Sequence, residues 1–188
     1  SSVKYMNSQI ADELYEISKR EHASFIDLLK DIWLNSSANS RQVTGLIKID
    51  FFSDFGNQRE LIAIYDLFLK FKYGEAKSMA RDSVEGTELY DIVSKYSTDK
   101  NKDGSPSKNY KLLDTMVILR ELEEKVKSLK MPDLGIILKA ENFKEYMGYE
   151  GYVSGIEDDR NKLCVLNVYP LKRKRDIKQF GYSIITRS

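Results

Sequence analysis

Apolar residues recur at helical spacing through the first half of the chain, and at alternating spacing near its end. Ile10, Leu14 and Ile17, with Ala11 beside them, mark one helical face, and Asn7 or Ser8 stands where a cap belongs. A second helix is predicted over 24–34, with Ser24 and Asp27 at the spacing of a capping box in which Asp replaces Glu. The polar run 35–40 is a loop, and a third helix runs from about Arg41 to Ile49. Residues 53–57 form the turn that ends it. A fourth helix spans about Gln58 to Phe71, apolar along Leu61, Ile64, Tyr65, Leu67 and Phe68. The helical pattern resumes from Glu85 to Tyr96. Residues 97–109 contain no apolar side chain and are expected to be a solvated, flexible loop. One long helix is then expected from Tyr110 to Lys130, with Glu123 and Glu124 four and three residues before Lys127, a favourable helical pairing. Past Pro132 the period shifts towards two. Strands are expected over 151–156, 162–169 and 180–186, with a turn at 157–161 and the basic segment 172–176 joining the last two.

The pattern therefore gives an α+β chain in four parts. A helical domain occupies 1–96, a polar loop 97–109, a long helix and connector 110–148, and a small antiparallel β-sheet 149–188.

Composition narrows the chemistry. The chain has 188 residues, 41% hydrophobic and 31% charged; 30 Lys and Arg against 29 Asp and Glu leave a net charge of +1. Overall charge thus gives no argument for a nucleic-acid partner, and any such argument rests on local patches. One Cys, Cys164, excludes an internal disulfide and fits a reduced, cytoplasmic protein. No apolar run approaches the ~20 residues of a membrane span. The start at Ser1, without Met, fits a piece of a longer chain. His22 and Cys164 are isolated, His22 is read as an exposed surface residue, and the acidic trio 157–159 lies in an expected turn. Neither a metal cluster nor a Ser-His-Asp set can be assembled. The ten glycines form no phosphate-binding loop. Catalytic and metal-binding residues are accordingly expected to be absent.

Three segments carry a resemblance, and they occur in a shared order. Residues 3–14 resemble the second half of a helix-hairpin-helix, with Val3, Met6, Ala11 and Leu14 at its apolar and small positions. Tyr5 departs from the pattern at its first glycine. Asn7 stands at the second, where a left-handed backbone is expected. Residues 24–29 followed by 39–59 look like a stretch of the alpha subunit of bacterial DNA polymerase III, the family C replicative polymerases. Gly56 and Arg59 match, whereas Asp50 replaces a family glycine. Residues 141–149 are similar to the helix end that precedes the family's OB domain.

The resemblance implies a mainly helical domain with a degenerate helix-hairpin-helix, followed by the start of an OB-like sheet. It implies a non-catalytic, DNA-binding fragment of a DNA-directed DNA polymerase, holding double-stranded product and single-stranded template near the sliding clamp. No cofactor belongs to this fragment; the Mg-binding aspartates of the parent polymerase would lie in a palm domain elsewhere. Lys4, Tyr5, Met6, Asn7, Ser8 and Gln9 would face phosphate at the hairpin, with Lys48 on the third helix. Lys172, Arg173, Lys174 and Arg175 would track single-stranded template, with Tyr152, Tyr169 and Tyr182 on nearby strands. Asp66, Leu67 and Phe68 resemble the end of a clamp-binding pentapeptide, or else belong to a buried helical face. The rival reading is a protein-interaction module that docks on the clamp or another subunit without touching DNA.

Overall fold

The computed structural model describes residues 3–101 and 103–148, together with the backbone of two strands, Cys164–Pro170 and Phe180–Ile185. The fold is α+β: seven α-helices, a three-stranded antiparallel sheet and a two-stranded antiparallel ladder among the described residues. The chain divides into two units. The first takes residues 1–7, 40–51 and 134–188; the second takes 8–39 and 52–133.

The second unit is built on α1 (Ser8–Ser18), α2 (Phe25–Asn35), α4 (Gln58–Lys70) and α6 (Thr115–Ser128). Their apolar stripes meet through Ile17, Phe25, Ile26, Leu29, Leu61, Ile64, Phe68, Ile118 and Leu119, all at most 2% exposed. Two capping devices set the helix starts. Ser24 accepts from the Asp27 amide at 3.1 Å, and Asn57 forms a reciprocal capping box with Glu60. The predicted pairing of Lys127 with Glu123 is present at 2.7 Å, yet Glu123 is buried. Its two carboxylate oxygens accept from the Phe25 and Ile26 amides, each at 2.9 Å. A carboxylate from α6 therefore satisfies the free donors at the start of α2 and favours that end of its dipole.

Three sequence expectations are corrected in this unit. Residues 97–109 are not one solvated loop. β2 (Ser97–Lys100) and β3 (Pro106–Leu112) form a hairpin, and β1 (Ser78–Ala80) pairs with the other side of β3. Polar side chains hide this sheet: only Met79, Ser107 and Tyr110 are buried from β1 and β3, and Arg81 fastens the layer by bonds to the Ser107 carbonyl and the Asp99 carboxylate. The long helix begins at Thr115 rather than Tyr110, because Tyr110 belongs to β3 and Asp114 caps the Met116 and Val117 amides. The expected helix over 85–96 shortens to α5 (Tyr90–Lys95).

In the first unit, α3 (Ser40–Lys48) packs on α7 (Ile136–Met147). Periodicity made the residues of α7 part of a connector; the resemblance alone marked a helix end over 141–149, and the helix runs from Ile136 to Met147. Gly45 makes the contact possible: a Cβ there would stand 2.7 Å from Tyr146 ring carbons. β4 (Cys164–Pro170) and β5 (Phe180–Ile185) pair antiparallel, with a register shift between Val165 and Asn167. Their pairing agrees with two of the expected strands. The third expected strand, 151–156, and the turn at 157–161 lie outside the described residues.

Candidate nucleic-acid interface

The first unit gathers the sequence-predicted hairpin residues against α3 and α7. Val3 to Met6 form a tight turn closed by the Met6 amide on the Val3 carbonyl at 3.1 Å. Tyr5 is its third residue, at φ 67°, a left-handed conformation that this position of a turn reserves for Gly or Asn. The turn is pinned at both ends. The Lys4 amide donates to the Tyr146 carbonyl at 2.7 Å, satisfying a free acceptor at the end of α7. Gln42 Nε2 donates to the Tyr5 carbonyl at 2.6 Å. The Arg41 guanidinium lies 3.7 Å from the Tyr5 ring centroid, a cation–π contact on a half-exposed ring.

The end of α3 repeats the backbone theme. The Asp50 amide reaches the Ile47 carbonyl and the Phe51 amide the Leu46 carbonyl, with Asp50 at φ 60°. This is a Schellman stop in which glycine usually holds the left-handed position. The Asp50 carboxylate pairs with Lys139 Nζ of α7 at 3.2 Å, so its charge is partnered locally.

Lys48 Nζ stands 5.6 Å from the Tyr146 ring, which is buried against α3. Burial, with the Glu145 charge adding to it, pushes the Tyr146 phenol up from its ordinary value, so it stays a neutral donor. The described part of this unit carries five cations, Lys4, Arg41, Lys48, Lys139 and Lys144, against three carboxylates, Asp50, Glu141 and Glu145. A nearly neutral chain thus holds a locally basic unit with aromatic rings among the cations. Such a surface can meet phosphate through Lys4, Arg41 and Lys48 and through the polar turn itself.

Each predicted residue has a place. Lys4, Tyr5 and Asn7 are exposed and Met6 and Lys48 half-buried, all in the first unit. Asn7 is not left-handed; Tyr5 takes that conformation, and Asn7 directly precedes α1, where a cap belongs. Ser8 and Gln9 open α1 in the second unit, and Gln9 donates to Glu13 at 2.9 Å. Asp66 is exposed on α4 and Leu67 half-buried, but Phe68 is 1% exposed in the core. Phe68 thus fits the alternative reading of this segment as a buried helical face: the helix turns its ring into the core. Lys172, Arg173, Lys174 and Arg175 lie outside the described residues, as does Tyr152. The backbone at Tyr169 and Tyr182 lies in β4 and β5.

Sequence reasoning missed Arg41, Gln42, Gly45, Lys139 and Tyr146. One signal pointed to them: a glycine inside a helical pattern marks a close approach. His22 is also corrected. Its side chain is 8% exposed and bonded to Asp31 at 2.8 Å, because Asp31 draws in His22, Arg20 and Asn35 together. Among the described residues no group of His, Cys, Asp and Glu is placed to hold a metal ion, and no helix is long and apolar enough to cross a membrane. No family model matches the chain, and neither the curated proteins nor the solved structures compared with it include a match.

Proposed function

We propose that this chain is a non-catalytic, DNA-gripping part of a bacterial replicative polymerase of the DNA polymerase III alpha type. One observation carries the reading. Of the three positions where the sequence replaces a family glycine, Tyr5 and Asp50 hold the left-handed backbone that glycine serves and Asn7 does not. Non-glycine residues rarely adopt it, so two matches among those three positions support a shared backbone. The local excess of cations beside the turn supports DNA as the partner. Nucleotidyl transfer, with its Mg-binding aspartates, would belong to another part of the polymerase. In this reading Lys4, Arg41 and Lys48 meet the backbone phosphates, and the cations 172–175 extend the contact.

Fluorescence anisotropy of labelled duplex DNA, titrated with the whole chain across salt concentrations, tests it. Arg41→Glu with Lys48→Glu should weaken binding and lower the salt slope by about 1 for each phosphate that is no longer neutralised. The same is expected of neutralising Arg173 and Lys174. An unchanged slope in both variants refutes the assignment.

The protein-docking alternative draws on a different observation. Phe51, Ile137 and Leu138 of the first unit are each at least half exposed. Capture of the purified sliding clamp without any DNA binding would favour it.

A further inference from the structure

In the second unit, Trp33 and Tyr73 lie face to face, with ring centroids 3.8 Å apart and planes within 2°. Tyr73 in turn meets the buried Phe68 edge-on, at 5.9 Å and 81°. Three rings therefore run from the core to the surface, and the outermost, Trp33, is 41% exposed. Tyr73 covers one face of the indole.

The turn that presents Tyr73 is held under strain. Lys72, Tyr73 and Gly74 are consecutive left-handed residues, at φ 51°, 59° and 79°. That conformation is unfavourable for the first two, which carry a Cβ. Lys30 Nζ braces the turn by donating to the Tyr73 carbonyl at 3.1 Å and to Glu75 at 3.2 Å. Strain of this kind persists where the surroundings over-determine it, and it concentrates at functional positions. Near the two rings in sequence stand Lys30, Lys70, Lys72 and Lys77, against Asp31, Asp66 and Glu75; Asp31 is partnered by Arg20 and His22, and Glu75 by Lys30.

A flat, half-exposed, pre-stacked aromatic surface among lysines suits a planar group that carries a neighbouring negative charge. We infer that Trp33, backed by Tyr73, is a stacking platform for an unpaired nucleobase, with Lys70, Lys72 and Lys77 beside the strand's phosphates. The inference rests on the DNA-binding reading and adds to it a preference for single strands in this unit. Paired bases keep their faces within the duplex stack and cannot use the platform; unpaired bases can, whatever their sequence.

Trp33 is the chain's single tryptophan, so its emission reports on the platform alone. A labelled single-stranded thymidine oligonucleotide of about a dozen residues is titrated into the whole protein, and label anisotropy and Trp33 emission are followed together. Quenching of Trp33 in step with the anisotropy rise is expected, and a blunt duplex should leave the emission unchanged. Trp33→Ala should weaken single-strand binding about 5- to 100-fold, the range that loss of one stacked base implies. Tyr73→Ala, which leaves the probe in place, should weaken it less and reduce the quenching. If the anisotropy saturates while the emission stays constant, the platform is wrong and the DNA-binding reading stands. If neither single strand nor duplex raises the anisotropy, both are wrong. Quenching that survives in Arg41→Glu, Lys48→Glu while duplex binding is abolished would separate the platform from the turn.

Discussion

Lys139 Nζ sits 3.2 Å from a carboxylate oxygen of Asp50, a residue held at φ 60° at the end of α3. Both side chains are at most about one-fifth exposed, so neither charge is well hydrated if its partner is removed. Lys139→Met should therefore lower the unfolding free energy by about 1–3 kcal/mol. Adding Asp50→Gly should recover most of that loss, because glycine removes both the orphaned carboxylate and the left-handed strain. Urea unfolding of the single and double variants measures the coupling.

Gly45→Ala should destabilise the chain although alanine is the better helix former. Its Cβ would come within 2.7 Å of Tyr146, closer than non-bonded carbons allow. The overpacking cost, about 1–3 kcal/mol, exceeds the ~1 kcal/mol propensity gain. A lower thermal midpoint checks it, and Gly45→Ala combined with Tyr146→Leu should regain part of the loss.

Glu123→Ala should be among the more damaging single changes on α6. It strips the Phe25 and Ile26 amides of their acceptor in a buried place and leaves Lys127 without its 2.7 Å partner. The expected loss is about 2–4 kcal/mol by urea unfolding. Glu123→Gln retains one acceptor and should cost less.

Acid should weaken the second unit through Asp31 and Asp27. Burial disfavours ionisation of Asp31, but hydrogen bonds from His22 and Asn35 and the Arg20 charge outweigh it and hold the carboxyl below the usual carboxylate range. Burial likewise opposes the Asp27 charge, and Arg120 and Ser24 overcome it. A carboxyl depressed in the folded state binds its proton more readily when unfolded. Its stabilisation is therefore complete above the ordinary Asp value of ~3.9 and is lost as pH falls through the lower folded value. Unfolding midpoints should be flat from about pH 7 to 5 and drop below about pH 4, and Asp31→Asn should flatten that drop.

The helices α1 to α4 were legible because local signals agreed: a 3.6-residue apolar period, Ser24 at a start, and the turn after α3. The sheet of β1 to β3 was not. Ser97, Thr98, Asp99 and Lys100 offer no apolar alternation, and what orders them is Arg81, a residue distant in sequence. Periodicity did not show α7 either, since its half-exposed Ile137 and Leu138 blur the stripe, although the resemblance marked a helix end over 141–149. At the interface, Tyr5 and Asp50 stood out in sequence as misfits to a pattern. Only the backbone shows that both are left-handed, while Asn7, where that conformation was expected, is not. Arg41 and Tyr146 could not be joined to them beforehand, since tertiary contact and not spacing brings them together.

The packing of α3 on α7 has a consequence for synthesis. Gly45 leaves the ribosome about a hundred residues before Tyr146, a delay of about 5–20 s at ordinary elongation rates. Throughout that interval the nascent α3 lacks its partner surface, with Val43, Leu46 and Ile47 in search of cover. Translation halted short of residue 136 would leave that helix a ready substrate for a chaperone, while α2 and α6 would already be present to pair.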